Sequence, residues 1–297
     1  MLGGAIVYSR SGTVHRGGWH SGKARFPAEG AKGVQRSMDI IHAVSGLLVG
    51  VLVGLTGVGG GSLMAPILIL LIGVAPATAV GTDLWFAAIT KTVGGTVHHK
   101  FGDPDWQVVR RLACGSVPAS IVTLLILSQS HVGPIKQGLI LNLLGTAIIL
   151  TAVATLSWGM IQRAAARVTP AGRIAYKRVQ PGLTVVAGAV LGVLVSLTSV
   201  GAGALGATLL LALYPRRMTP ARLVGTDIVH AVPLTLVAGI GHLWMGNVDG
   251  LLLVSLLVGS IPGILIGSFL ATRVSGNVIR PFLALVLVAS GLKMLLS

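Results

Sequence analysis

Three charged side chains stand where charge is costly. Asp83, Lys91 and Asp227 lie inside long apolar stretches, and a charge in a bilayer interior must face water, a partner or a ligand. Two small-residue runs, Thr56-Gly57-Val58-Gly59-Gly60-Gly61-Ser62 and Thr198-Ser199-Val200-Gly201-Ala202-Gly203, interrupt apolar stretches elsewhere. Glycine tolerates positive φ and lets the backbone approach a ligand closely. A helix that starts just past such a break aims free N–H groups and the positive end of its dipole into it. That chemistry suits a small anion, and Lys91, flanked by Thr90 and Thr92, could supply an ammonium ligand. Asp83 and Asp227 could carry a coupling proton or line a polar path.

Each feature also has a plainer role. The glycines could serve only close helix packing. The aspartates could stabilise helix starts, since Thr78 and Thr219 lie a turn or two upstream. Lys91 could snorkel or pair with an acid. Asp83 is too distant along one helix, about 12 Å away, whereas Asp227 could approach across a repeat interface. His98 and His242 fall at helix ends, where capping is the simplest role. Cys114, the sole cysteine, is expected to be a small buried hydrophobe and excludes an intrachain disulfide or a Cys-x-x-Cys redox pair.

The elements that position these residues are membrane helices. Hydrophobic residues make up 53% of the 297-residue chain, only 10% are charged, and mean hydropathy is +0.89. A soluble domain carries about 25% charged residues. The net charge of +15 reflects Lys and Arg in loops between apolar runs, not a nucleic-acid footprint. Ten apolar stretches follow one another: 40–56, 62–73, 77–97, 106–127, 137–158, 182–198, 203–214, 219–243, 250–271 and 277–296. Those near 20 residues can cross a bilayer. The stretches 62–73 and 203–214 are short and each follows a break.

An internal repeat orders these segments. Leu55 to Leu63 returns as Leu197 to Leu205, and Gly81-Thr82-Asp83 as Gly225-Thr226-Asp227. The second register also aligns His98 with His242, Asp105 with Asp249, Gly115-Ser116 with Gly259-Ser260 and Pro118 with Pro262. A two-residue insertion near Tyr214-Pro215-Arg216-Arg217 accounts for the shift between registers. Rare acids and histidines in register mark a duplication. The sequence thus divides into a basic tail (1–37), repeat 1 (38–160), a basic linker (161–181) and repeat 2 (182–297). The tail has no apolar region of signal-peptide type and reads as disordered, with Met38 as the expected true start.

The expected fold is an all-α polytopic membrane protein of two inverted repeats, with about 8–10 membrane segments. Each repeat is a broken-helix hairpin plus three transmembrane helices, and that odd count inverts the second repeat. With the linker in the cytoplasm, thirteen basic residues face inward: Lys100, Arg110, Arg111, Arg163, Arg167, Arg173, Lys177, Arg178, Arg216, Arg217, Arg222, Arg273 and Arg280. From residue 38 on, only Lys136 and Lys293 then face outward, a positive-inside bias; the basic tail dissents, since it would lie outside.

Inverted repeats with interrupted helices point to a secondary transporter that binds its substrate where the breaks meet. No Gly-Lys-Ser/Thr phosphate loop or metal-ligand cluster is present in the sequence, and no enzyme, metal, cofactor or nucleic-acid partner is expected. The run Gly54 to Leu63 with Pro66, followed by Ala79-Val80-Gly81-Thr82-Asp83 and Lys91, resembles the signature of the sulfite exporter TauE/SafE family. The likeness extends over Met38 to Ser297. The second break departs from the pattern, with Ser199 and Ala202 in place of Gly57 and Gly60.

The resemblance implies a multi-pass permease of a bacterial inner membrane, handling sulfite, a sulfonate or another organic anion. It implies Thr56, Gly57, Gly59, Gly60, Gly61, Ser62 and Thr82 as site residues, with their mates Thr198, Ser199, Gly201, Gly203 and Thr226. Lys91 joins this binding set, and Asp83 and Asp227 are the coupling candidates. A cation/proton antiporter using both aspartates is the alternative. Proton or sodium coupling and a homo-oligomer stay open. The topology yields a direct test: a reporter active only in the periplasm, fused after Ser297, should be active. A silent periplasmic reporter with a fluorescent cytoplasmic one would refute the odd-count repeat.

Overall fold

The computed structural model describes residues 28–56, 61–97, 104–129, 134–166, 170–271 and 276–296. In that range the chain is helical, without a strand. The helices are α1 (Ala28–Thr56), α2 (Gly61–Leu70), α3 (Pro76–Val97), α4 (Trp106–Gln129) and α5 (Pro134–Ala166). They continue as α6 (Pro170–Thr198), α7 (Ala204–Leu213), α8 (Pro220–Trp244), α9 (Gly250–Ala271) and α10 (Gly276–Leu296). Residues 38–297 form one compact unit.

The helices match the apolar stretches because water-free surroundings force each backbone group to bond within its own segment. Five described stretches are long and apolar enough to cross a membrane: Trp106–Gln129, Gly138–Ser157, Tyr176–Thr198, Ala221–Trp244 and Gly250–Leu270. They carry exposed large apolar side chains such as Val122, Ile126, Val186, Val258 and Phe269. Water would penalise such a surface and lipid does not. This is a multi-pass membrane protein. The helices α2 and α7 have 10 residues each, about 15 Å of rise, half of a hydrocarbon core of about 30 Å. The basic stretch 161–181 is largely helical, since α5 runs on through Ala164-Ala165-Ala166 and α6 restarts at Pro170, a favoured first helical residue.

Cys114 departs from expectation. It is exposed, because the inner face of α4 is occupied by its neighbours Leu112, Gly115 and Ser116, all buried. Cys114 lies on the other side of the helix, beside lipid-facing residues.

Contacts between the repeats come in matched pairs. A Cβ on Gly192 of α6 would lie 2.2 Å from the Ser116 carbonyl oxygen of α4, and one on Gly50 of α1 would lie 2.3 Å from that of Ser260 of α9. These four residues are repeat mates, so α1 rests on α9 as α6 rests on α4. The caps obey the same exchange. Asp105 precedes α4 and its N–H donates to Thr226 Oγ1 of α8 at 3.0 Å. Asp249 precedes α9 and its N–H donates to Thr82 Oγ1 of α3 at 3.1 Å. Each acid also accepts a first-turn N–H, from Val108 and Leu252 respectively, as an N-cap does. The two contacts are thus reciprocal between aligned residues, and α3 and α8 pack against each other.

The close approach makes a stability test. Gly192→Val pushes a side chain into backbone, and overpacking of this type costs roughly 1–3 kcal/mol or more. Gly182→Val meets nothing within 4 Å. Thermal unfolding of the detergent-purified proteins should show a clear loss for the first and little change for the second.

Candidate functional site

The second break is built by local backbone chemistry. Thr198 ends α6 by donating its hydroxyl to the Leu194 carbonyl at 2.6 Å and accepting from the Val200 N–H at 3.2 Å. The chain then turns through Ser199, with φ 59°, and Gly201, with φ 120°. Gly203 caps α7 without a side-chain bond. The Gly206 and Ala207 N–H groups donate to the Gly201 and Gly203 carbonyls at 2.9 and 2.8 Å, so the turn leads directly into the helix.

Between this break and α3 lies a cavity of about 10 Å³ lined by Ala87, Lys91, Ser199, Gly201, Ala202, Gly203 and Ala204. That is about the space one water needs. Lys91 and Ser199 are its polar walls. The structure thus brings together Lys91 and the Ser199, Gly201 and Gly203 of the second break. Thr198 is buried at its edge but spends its hydroxyl on the turn itself.

Lys91 is also one half of an ion pair. Its Nζ lies 2.7 Å from Asp227 Oδ2, across the α3–α8 contact, and both residues are buried. The carboxylate of Asp227 lies against α7: a Cβ on Gly206 would sit 2.8 Å from its Oδ1. Helix capping is not its role, because α8 is capped by Thr219, which accepts from the Arg222 N–H at 3.3 Å. Asp83 occupies the related place in the first repeat, beside the Ala65 backbone of α2 and the Ser199 hydroxyl. It is fully buried, and neither of its carboxylate oxygens has a hydrogen-bond partner among the described residues.

Other expected site residues lie elsewhere. Thr82 and Thr226 are buried, and their hydroxyls receive the cap N–H groups of Asp249 and Asp105 rather than lining the cavity. In the first break, Gly57, Gly59 and Gly60 fall outside the described residues. Thr56 ends α1, and Gly61 and Ser62 begin α2. His98 lies outside the described residues as well. His242, expected as a cap on its own helix, instead reaches α6, where its Nε2 lies 2.8 Å from the Ser196 carbonyl oxygen.

A polar seam close to the site has no counterpart in the expectations. Ser116 Oγ lies 2.9 Å from His230 Nε2, and the Ser120 and Ser196 hydroxyls are 2.7 Å apart. Both pairs are buried and join α4 to α8 and α6. The repeat could not flag His230, since its mate is Phe86. Among the described residues no three metal-ligating side chains converge.

Helices with apolar outer faces, half-length helices after breaks and a small cavity walled in part by Lys91 and Ser199 are features of a membrane transporter. The model of the family described as "Sulfite exporter TauE/SafE" matches residues 42–294. A Bacillus subtilis (strain 168) protein named "Probable membrane transporter protein YjnA" is 37% identical over 263 residues, 87% of this chain and 100% of the relative. A second relative, a "Probable membrane transporter protein" of Haemophilus influenzae, is 39% identical over 75 residues, 23% of this chain and 28% of its own. No solved structure matches the chain significantly. The chain belongs to the sulfite exporter TauE/SafE family of membrane transporters, which are not enzymes.

The ion pair generates a double-substitution test. Lys91→Met leaves Asp227 buried without its ammonium, and breaking one side of such a pair costs about 3–5 kcal/mol. The double change Lys91→Met with Asp227→Asn should regain most of that loss, as read from the thermal unfolding of all four proteins in detergent.

Proposed function

We propose that this transporter is a secondary permease for a small oxyanion, sulfite or an organosulfonate, working by alternating access between two inverted repeats in a bacterial inner membrane. The observation that carries the reading is the cavity at the second break. An ammonium (Lys91), a hydroxyl (Ser199) and the N-terminal turn of α7 meet there. The ammonium, although shared with Asp227, has further N–H donors, and with the hydroxyl and the positive end of the α7 dipole it offers an oxyanion directed donors.

The size of the cavity supports the alternating-access part. About 10 Å³ suits a water, so an oxyanion needs the walls, Ala87 and Lys91 of the first repeat and Ser199 and Gly201 to Ala204 of the second, to move apart. The reciprocal Thr226–Asp105 and Thr82–Asp249 bonds join the repeats at two related places, which suits rocking of one repeat against the other. With the linker in the cytoplasm these places fall at opposite faces.

The alternative, a cation/proton antiporter, needs both aspartates free for the ion. Asp227 is instead engaged by Lys91 at 2.7 Å, which favours the anion. Purified protein in liposomes, screened with sulfite, sulfoacetate, sulfate and Na⁺ with and without a pH gradient, separates the two. Saturable flux of one of the anions is expected. Gly203→Leu, whose side chain would fill the cavity, should reduce that flux to background while the protein still inserts and purifies normally. Saturable Na⁺ transport lost in both Asp83→Asn and Asp227→Asn would support the antiporter instead.

A further inference from the structure

Asp83 and Asp227 are repeat mates with unequal surroundings. Asp227 holds Lys91. At the place of Lys91 the second repeat has Thr235, whose hydroxyl turns back to the Ala231 carbonyl at 2.9 Å, so no ammonium reaches Asp83 from there. The polar side chain set beside Asp83 is Ser199, whose buried hydroxyl has no hydrogen-bond partner among the described residues. Ser199 is itself a departure from the repeat, since Gly57 stands at its place in the first break. With φ 59° it occupies the left-handed region that glycine adopts freely and serine seldom does. A serine is thus held in a glycine's conformation with its hydroxyl beside an unpaired carboxyl group, in the wall of the cavity.

The geometry points to Asp83 as the carrier of a coupling proton and to Ser199 as the relay that ties anion binding to it. This rests on the anion reading above. A hydroxyl has one proton to donate. While Asp83 is ionised, that proton is drawn to the carboxylate, and an anion in the cavity would meet the lone pairs of Ser199. When Asp83 takes a proton from water on the loading side, its O–H donates to Ser199 Oγ, and Ser199 donates to the anion. The proton stays on Asp83 while the anion is bound and returns to water on the release side, so each anion moves with one proton. Protonation and anion binding strengthen each other by the same factor.

Few other groups compete for this role. Among the helices packed against α3, α2 and α9 carry no charged or titratable side chain, and α5 has only Lys136 and Arg163, near its ends. The helix α8 brings Arg222, Asp227, His230 and His242, and Asp249 caps α9. None forms an ion pair with Asp83 among the described residues. His230 bonds Ser116, and Asp227 is balanced by Lys91.

The test measures anion flux and internal pH together in proteoliposomes holding the full chain. Sulfoacetate is the main probe because its charge is constant around neutral pH; sulfite and sulfate complete the panel. In the wild type, uptake should carry protons, and apparent affinity should rise by up to about tenfold per unit fall in pH while Asp83 is ionised. Asp83→Asn keeps a donor for Ser199 but cannot titrate, so flux should persist without proton movement or pH dependence. Ser199→Gly relieves the backbone and removes the hydroxyl. It should weaken binding by about tenfold or more and flatten the pH profile. Asp227→Asn should keep the pH slope.

Anion flux without proton movement in the wild type overturns the coupling and leaves the anion permease standing. A pH slope that survives Asp83→Asn and disappears in Asp227→Asn also overturns it. If no anion of the panel moves through well-folded protein, the permease reading falls and takes this one with it. Should Asp83→Asn fail to fold, the wild-type proton measurement and Ser199→Gly still decide.

Discussion

An ammonium and a carboxylate removed from water each lose several kcal/mol of hydration, and only a close, well-placed partner returns it. Lys91 and Asp227 satisfy this at 2.7 Å across the contact of α3 and α8, and much of the centre follows. Lys91 belongs to the first repeat and Asp227 to the second, so the pair ties the two halves where their central helices meet. It fixes the ammonium at the wall of the cavity and draws the Asp227 carboxylate onto the backbone of α7, where Gly206 leaves it room. The polarity of α3 follows too. This helix is absent from the long apolar spans, yet Val80, Leu84, Phe86 and Ala88 are buried. A helix with Asp83 and Lys91 on it is tolerated only inside the protein.

Around this centre the repeats are held by backbone rather than by large side chains. Between membrane helices lipid gives no hydrophobic drive, so association depends on close packing and polar contacts. Glycines of α1 and α6 let carbonyls of α9 and α4 approach to distances that exclude any side chain. At the ends, Thr82 and Thr226 hold the caps of the opposite repeat. The helices outside this frame bear the lipid-facing side chains. The second break packs into the same core, Val200 with Leu63 and Leu144 and Ala202 with Val80 and Leu84, while Ser199, Gly201 and Gly203 line the cavity.

Most of the helical plan was legible because apolar runs and breaks are local signals. Among the described residues each of the ten stretches corresponds to a helix, and Ser116 with Ser260 and Asp105 with Asp249, aligned in the sequence, make reciprocal contacts. What the sequence could not supply was distance across the fold. Lys91 and Asp227 are 136 residues apart, and their pairing was one of several open roles for either residue. Thr82 and Thr226 looked like binding residues through a neighbouring motif, whereas their hydroxyls meet backbone N–H groups near the helix caps. His230 carried no periodic or repeat signal at all. Cys114 illustrates the reverse difficulty, since composition cannot tell the lipid-facing side of an apolar helix from its inner side.

The near-equivalence of the repeats has an energetic corollary. A molecule with an exact two-fold axis has, for every lopsided conformer, a twin of the same free energy with the two halves' roles exchanged. Only departures from the repeat can make one twin the more populated. Several lie at the centre: Lys91 against Thr235, Phe86 against His230, Ser199 against Gly57 and Ala202 against Gly60, and away from it the inserted stretch brings Arg217 onto Asp105 and Gln107. Asp249, the mate of Asp105, has no such ion pair among the described residues. In a transporter that rocks as proposed, departures of this kind are what would make one conformer more populated than its twin.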